Sequence, residues 1–211
     1  MAIIKRGILG GFSKKIGSVV GSSWKGIAVM KSLPLSVANP NTVKQQGVRK
    51  PFAACVSLAS ILLGIFIKRV WNRGAMQMSG FNAFVQANVK TAFQASGALT
   101  LNELNISPSS ESPATIELAD CQTGHETATI HWDADIVGNQ QNSDLAVCLI
   151  LDQNGVYLGC SAFSVQRSDG MAVVALKRAL LIGEPLGIYL MFQSADGFRN
   201  FGQFYFGQNV I

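Results

Sequence analysis

Histidine is nearly absent from this chain, with His125 and His131 the only two, and its first 105 residues hold a single carboxylate, Glu103. A nucleophile needs a base within reach, so the chain offers little material for nucleophilic or general-base chemistry. His131, Trp132 and Asp133 are consecutive. On a strand His131 and Asp133 share one face and Trp132 takes the other, so the pair reads as polar surface and Trp132 as core. The four cysteines (Cys55, Cys121, Cys148 and Cys160) have no CxxC or His/Cys spacing for zinc, and they read as reduced and structural. HExxH, GxSxG, an EF-hand loop, GxxxxGK[ST] and a GxGxxG after a strand are all missing. Asp133, Asp135 and Asp144 lack calcium-loop spacing and read as solvated loop acids. The expectation is no enzyme, no metal and no cofactor.

Charged residues are only 14% of the chain, but they are sharply segregated. Residues 1–105 carry thirteen cations against one acid, net +12, and residues 106–211 carry four cations against eleven acids, net −7. Such asymmetry bears on partners rather than on fold. It admits self-association, another protein or a nucleic acid. The candidate contact residues are Lys14, Lys15, Lys25 and Lys31, with Trp24 available to stack on a base.

The apolar run after Lys5 and Arg6 is cut short by Lys14 and Lys15, which argues against a signal peptide and for a cytoplasmic or virion-associated protein. Phe52–Ile67 is free of charge but shorter than a membrane span requires, and it contains Ser57, Ser60 and Gly64. It reads as a core or oligomer-interface helix, and a membrane partner is disfavoured.

Glycines at 10, 11, 17, 21 and 26 alternate with the apolar runs 16–20 and 27–30, predicting a β-hairpin turning around Gly21–Gly26. Thr42 and Gln45 have capping-box spacing, so a helix starts there. Pro51 predicts a break, giving one helix over about 42–50 and a second over 51–73. Phe81, Phe84, Val85, Val89 and Phe93 predict an amphipathic helix ending near Ser96–Gly97. After a Ser/Pro/Glu stretch, strands are expected at 114–120, 126–133, 144–152, 155–165, 171–177, 186–193 and 200–206, with 179–182 a candidate helical turn. The predicted class is α+β: a hairpin-plus-helix region over 1–105, a linker over 106–113, and an immunoglobulin- or fibronectin-III-like sandwich over 114–211.

The runs Gly17-Ser-Val-Val-Gly-Ser-Ser-Trp-Lys-Gly26, Asn39-Pro-Asn-Thr-Val-Lys-Gln45, Gly80-Phe-Asn82 and Ser194-Ala-Asp-Gly197 resemble an uncharacterised bacterial family found mainly in Bacteroidota. The resemblance spans nearly the whole chain and implies an Ig-like C-terminal region, with no activity attached. The hairpin and the Asn-Pro-x-Thr-x-x-Gln start are more distantly similar to small phage proteins encoded near virion genes. That likeness implies a structural role in an assembly.

Overall fold

The computed structural model describes residues 2–3, 12–109, 116–120, 126–136 and 138–210. The chain is α+β and divides into two compact units, Met1–Asn41 and Thr42–Ile211.

The first unit is a four-stranded antiparallel sheet in the order β1-β4-β3-β2, built from β1 (Ala2–Ile3), β2 (Lys14–Ile16), β3 (Val19–Trp24) and β4 (Ile27–Ser32). The predicted hairpin is its centre. Its turn is only Lys25–Gly26, both at positive φ (+50° and +80°), as a type I′ turn requires. Gly21 therefore sits inside β3 rather than in the turn. A Cβ there would lie 2.2 Å from the Phe12 carbonyl oxygen, so the strand needs glycine to admit Phe12.

The first helix of the second unit starts where predicted. The Gln45 N–H donates to Thr42 Oγ1 (3.4 Å) and the Thr42 N–H to Gln45 Oε1 (3.1 Å). The break expected at Pro51 does not occur. Helix α1 (Val43–Leu62) passes through Pro51, continues as a π-helical turn over Leu63–Ile67, and ends in α2 (Lys68–Trp71). A mid-helix proline costs about 3 kcal/mol. Burial of one helix face offsets that: Cys55, Leu58, Ala59, Leu62, Phe66, Ile67, Val70 and Trp71 are all buried, as is Pro51 itself. The π turn carries one extra residue, marked by the Lys68 N–H donating to the Leu63 carbonyl. The extra residue rotates the following face back by about 100°, which keeps Ile67 and Trp71 in line with Leu58 and Leu62.

Helix α3 (Gly80–Asn88) is capped by Ser79 and ends before the predicted Ser96–Gly97. The buried Asn88 amide donates to the carbonyls of Phe84 and Asn105, and its oxygen accepts from the Asn105 N–H. This exchange ties the helix end to the following segment and turns the chain. Phe93 then forms a bridge with Leu99.

Seven strands follow: β5 (Ile116–Asp120), β6 (Thr127–Trp132), β7 (Leu145–Asp152), β8 (Tyr157–Gln166), β9 (Met171–Ala175), β10 (Pro185–Gln193) and β11 (Asn200–Asn209). They form two antiparallel sheets, β11-β10-β7-β8 and β5-β6-β9. Residues 179–182 are not helical; Arg178 and Glu184 pair across that connection.

One core lies between the sheets, with Ile130, Trp132, Cys148, Ile150, Ile188 and Leu190 among its buried members. A second core lies on the other face of the four-stranded sheet. There Val147, Leu149, Leu151, Tyr189 and Met191 pack with Leu62, Phe66, Trp71 and Phe84 of the helices. The unit is thus three layers: three strands, four strands, helices.

The expected division at 106–113 is corrected by this packing. Leu104, Ile106 and Ser107 are buried; Trp71 Nε1 donates to the Ile106 carbonyl (3.0 Å), and the Ser107 hydroxyl to the Phe201 carbonyl (2.7 Å). The segment is a seam within one core, and the chain divides at Asn41/Thr42 instead.

Candidate interaction surfaces

The strand register of the first unit sorts the predicted contact residues. Lys15 pairs with Val20, and Val20 with Lys31, so these two lysines share one row and one face. Strands are about 4.8 Å apart, which sets Lys15 and Lys31 about 10 Å from each other at the backbone. Lys14 pairs with Gly21 in the next row at a φ of +82°. Lys25 occupies the turn, and Trp24 closes β3 opposite Ile27; the Trp24 side chain lies outside the described residues. The structure therefore brings two of the five candidates into one row.

The helices of the second unit present a surface that includes the stretch 52–67, read from sequence as a core or oligomer-interface helix. On α1 and the π turn that continues it, Phe52 (53% exposed) and Ile61 (45%) flank the small outward residues Ala53, Ser57, Ser60 and Gly64. The 93–99 bridge loop meets α1 at Lys50, where Gly97 approaches the Lys50 backbone. On either side of Phe93 lie two open, largely apolar grooves. One, of about 330 Å³, is lined by Val48, Phe52, Val89 and Lys90. The other, of about 270 Å³, is lined by Leu58, Ile61, Leu99 and Val156. No carboxylate occurs anywhere between residues 42 and 102. The signal available beforehand was the charge-free stretch 52–67, bounded by Lys50 and Lys68. Val43–Trp71 is also long and apolar enough to cross a membrane, with a mean hydropathy of 2.0 over its best window, 39% of which is buried here.

At one end of the two sheets a polar cavity of about 380 Å³ is lined by Asn139, Gln141, Asp144, Ser194, Asp196 and Arg199. Its carboxylates are already engaged. Asp196 accepts from the Ser194 hydroxyl (2.6 Å) and the Phe198 N–H (2.8 Å), which hold its carboxyl below the usual range. Asp144 accepts from the Gln141 N–H (2.8 Å) and faces Arg167 at 3.6 Å. It is buried, so it is not the solvated loop acid expected from sequence. Arg167 is itself fully buried, with its guanidinium 3.8 Å from the Phe192 ring centroid. Burial pulls its pKa down, and Asp144 pushes it back up.

His131 is half-buried beside Met171 in register, and His125 lies outside the described residues. Among the described residues no group of three His, Cys, Asp or Glu side chains is placed to hold a metal ion. Cys55, Cys148 and Cys160 are free thiols, and Cys121 lies outside the described residues. Burial pushes Cys55 up to about 11 and Cys160 up to about 12, and raises Cys148 further, so all three stay protonated at neutral pH. The thiolate is the reactive form. Iodoacetamide at pH 7.5 is expected to leave these three unmodified in the native protein and to alkylate them fully in denaturant. Peptide mass mapping checks this; rapid native labelling of Cys55 would show that its site opens.

The family of unknown function DUF6266 matches residues 11–207. The chain belongs to that family. DUF6266 carries no assigned activity, and no curated protein matches the chain significantly. Among solved structures, the adhesin domain of Epf from Streptococcus pyogenes is similar to part of this DUF6266 chain at 10% identity and a TM-score of 0.35. The match covers 47% of this chain and 33% of the adhesin chain.

Proposed function

We propose that this chain is a non-enzymatic structural or interaction protein, a component or accessory of a virion-like or other assembly. The observation that carries this reading is the outward face of α1. Phe52 and Ile61 stand exposed on a surface with no carboxylate, beside two apolar grooves. Open apolar grooves with large exposed apolar side chains at their rims mark contact surfaces. The strand order, three against four, supports a fibronectin-III-like sandwich, a fold that serves as a binding module in many unrelated proteins. The sequence resemblance to phage proteins encoded near virion genes supports the assembly role. Static light scattering at neutral pH tests it: mass is expected to rise with concentration, and a strictly monomeric species at high concentration would refute self-assembly.

A second reading, nucleic-acid binding through the first unit, is favoured by the shared row of Lys15 and Lys31 and by six cations without an acid over residues 1–41. Each phosphate contact contributes about −0.9 to the slope of log K against log salt. Replacing both lysines by alanine is expected to lower the magnitude of that slope by about 2 in a filter-binding titration. No retention of the intact protein on a DNA column at low salt removes this reading.

A further inference from the structure

The sheet edges of this chain are unequally protected. Exposed edges normally carry charge, are very short or are covered, because their unpaired N–H and C=O groups invite another strand. In the first unit, β1 has two residues and β2 carries Lys14 and Lys15. In the second, β5 includes Glu117 and Asp120, and β8 is met by β9 and the segment after it. There the Lys177 N–H donates to the Leu158 carbonyl (2.8 Å), and a Cβ at Gly159 would lie 2.4 Å from the Ala175 carbonyl. The edge strand β11 is 10 residues long and has neither charge nor proline.

Register fixes which of its backbone groups are open. The Val210 N–H donates to the Glu184 carbonyl (2.9 Å), so the position next to the Pro185–Asn209 pair is a hydrogen-bonded one. Alternation then turns the backbone groups of Gln208, Phe206 and Phe204 toward β10, and those of Asn209, Gly207 and Tyr205 toward the open edge. Nearer the start of β11 the edge is occupied. The Ser107 hydroxyl donates to the Phe201 carbonyl, and the Gln203 amide bonds the backbone of Leu104 and Ile106. At Tyr205, Gly207 and Asn209 the outward groups have no hydrogen-bond partner among the described residues, and Gly207 and Asn209 are exposed. The open stretch is thus centred on Gly207. Beside it, Gln208 Oε1 is buried without a hydrogen-bond partner among the described residues.

We infer that β11 of one copy pairs antiparallel with β11 of a second copy about a two-fold axis at Gly207, joining two four-stranded sheets into one. Gly207 then faces its own counterpart, and Tyr205 of each copy faces Asn209 of the other. Each such pair exchanges two hydrogen bonds, about six in all, and no open group of the stretch is left over. The stretch selects a second copy because it is its own complement. Its middle residue is itself an outward one, so a two-fold axis there pairs every open group. With no charge from Asn200 to Val210, no like charges meet along the two strands. A glycine on the axis also leaves room for the Tyr205 ring, whose hydroxyl lies 3.1 Å from where a Gly207 Cβ would stand. Gln208 gains a partner as well. It stands diagonally across from its counterpart, within reach of a long side chain, so each amide can turn out and donate to the other's Oε1. The inference rests on the assembly reading above and adds a contact distinct from the helical face.

The test uses the full chain. Gly207→Cys sets two thiols across the axis at a Cα separation of about 5.5 Å, which a disulfide can bridge. Oxidised glutathione is expected to link it into a covalent dimer on a non-reducing gel. Asn209→Cys faces Tyr205, with its counterpart about 13 Å further along the partner strand, and is expected to stay single. The native cysteines are common to both variants, so the difference reports on position 207. Gly207→Lys and Gly207→Glu each set like charges on the axis and are expected to weaken self-association about tenfold or more in light scattering. An equimolar mixture of the two is expected to regain it. Asn209→Pro removes an outward N–H without adding charge, and it provides a second weakening variant should the Gly207 variants melt early. A parent that associates while Gly207→Cys links no faster than Asn209→Cys overturns this interface, leaves self-assembly standing and returns the edge to a strand from another protein. A parent that is monomeric throughout, with neither cysteine variant linking, overturns both this interface and self-assembly.

Discussion

Replacing Asp144 by alanine is expected to lower stability by about 3–5 kcal/mol, the cost of stranding a buried cation. Arg167 is 0% exposed, and its Nε, Nη1 and Nη2 have no hydrogen-bond partner among the described residues. Its compensation is the Asp144 carboxylate at 3.6 Å and the face of Phe192. The backbone runs through the same spot. The Arg167 N–H donates to the Asp144 carbonyl (2.7 Å), and Trp132 Nε1 donates to the Arg167 carbonyl (3.0 Å). Removing the carboxylate leaves the guanidinium between aromatic rings with only the weaker field of Asp133 to balance it. At 2–4 °C per kcal/mol for a chain of this size, the melting temperature falls by roughly 6–20 °C. The paired replacement Asp144→Asn with Arg167→Met removes both charges, keeps an acceptor for the Gln141 N–H, and is expected to recover most of the loss. Calorimetry of the three proteins decides. If Asp144→Ala melts within 2 °C of the parent, the pair is not what holds the turn after β8.

Local signals in the sequence were read correctly where their partners are near in the chain. Thr42 and Gln45 form the capping box their spacing announces, and the alternation of residues 127–132 places Trp132 in the core at 2% exposure. Contacts fixed by distant segments were not legible in the same way. Pro51 is tolerated because α1 is pressed along a sheet formed a hundred residues later, which no local rule weighs against the lost hydrogen bond. Asp144 looked like a loop acid because its counter-charge, Arg167, stands outside any local motif. The basic contact set fared similarly, since only the register of β2, β3 and β4 shows that Lys15 and Lys31 align while Lys14 does not. One missed feature was written locally. Leu145–Leu151 and Ile188–Phe192 are unbroken apolar runs, and a strand with one wet face alternates. Those runs announce strands covered on both sides, and hence a third layer.

The third layer makes a direct prediction about the boundary once expected at 106–113: residues 106–211 expressed alone will not form a stable domain. Without the helices, Val147, Leu149, Leu151, Tyr189 and Met191, all 0% exposed in the intact chain, face water. At roughly 1.5–3 kcal/mol per large apolar side chain, five such exposures remove roughly 7–15 kcal/mol, as much as a typical domain's entire stability. Tyr189 also loses the acceptor for its hydroxyl, the Leu101 carbonyl at 2.6 Å, and Gln203 loses the Leu104 carbonyl at 2.6 Å. The same coupling is testable without truncation. Phe84 is fully buried and packs edge-on to Phe66 (6.5 Å between ring centroids) and Trp71 (5.5 Å). Phe84→Ala is expected to cost about 3–5 kcal/mol. Because helices and sheets share one core, the loss should appear as an earlier transition common to both. Far-UV helical signal and the resolved fluorine resonance of 5-fluorotryptophan at Trp132, buried between the sheets, are expected to melt together in the variant as in the parent. A helical transition that moves down alone, with the Trp132 signal unchanged, would mean that the sheets stand without their helical cover.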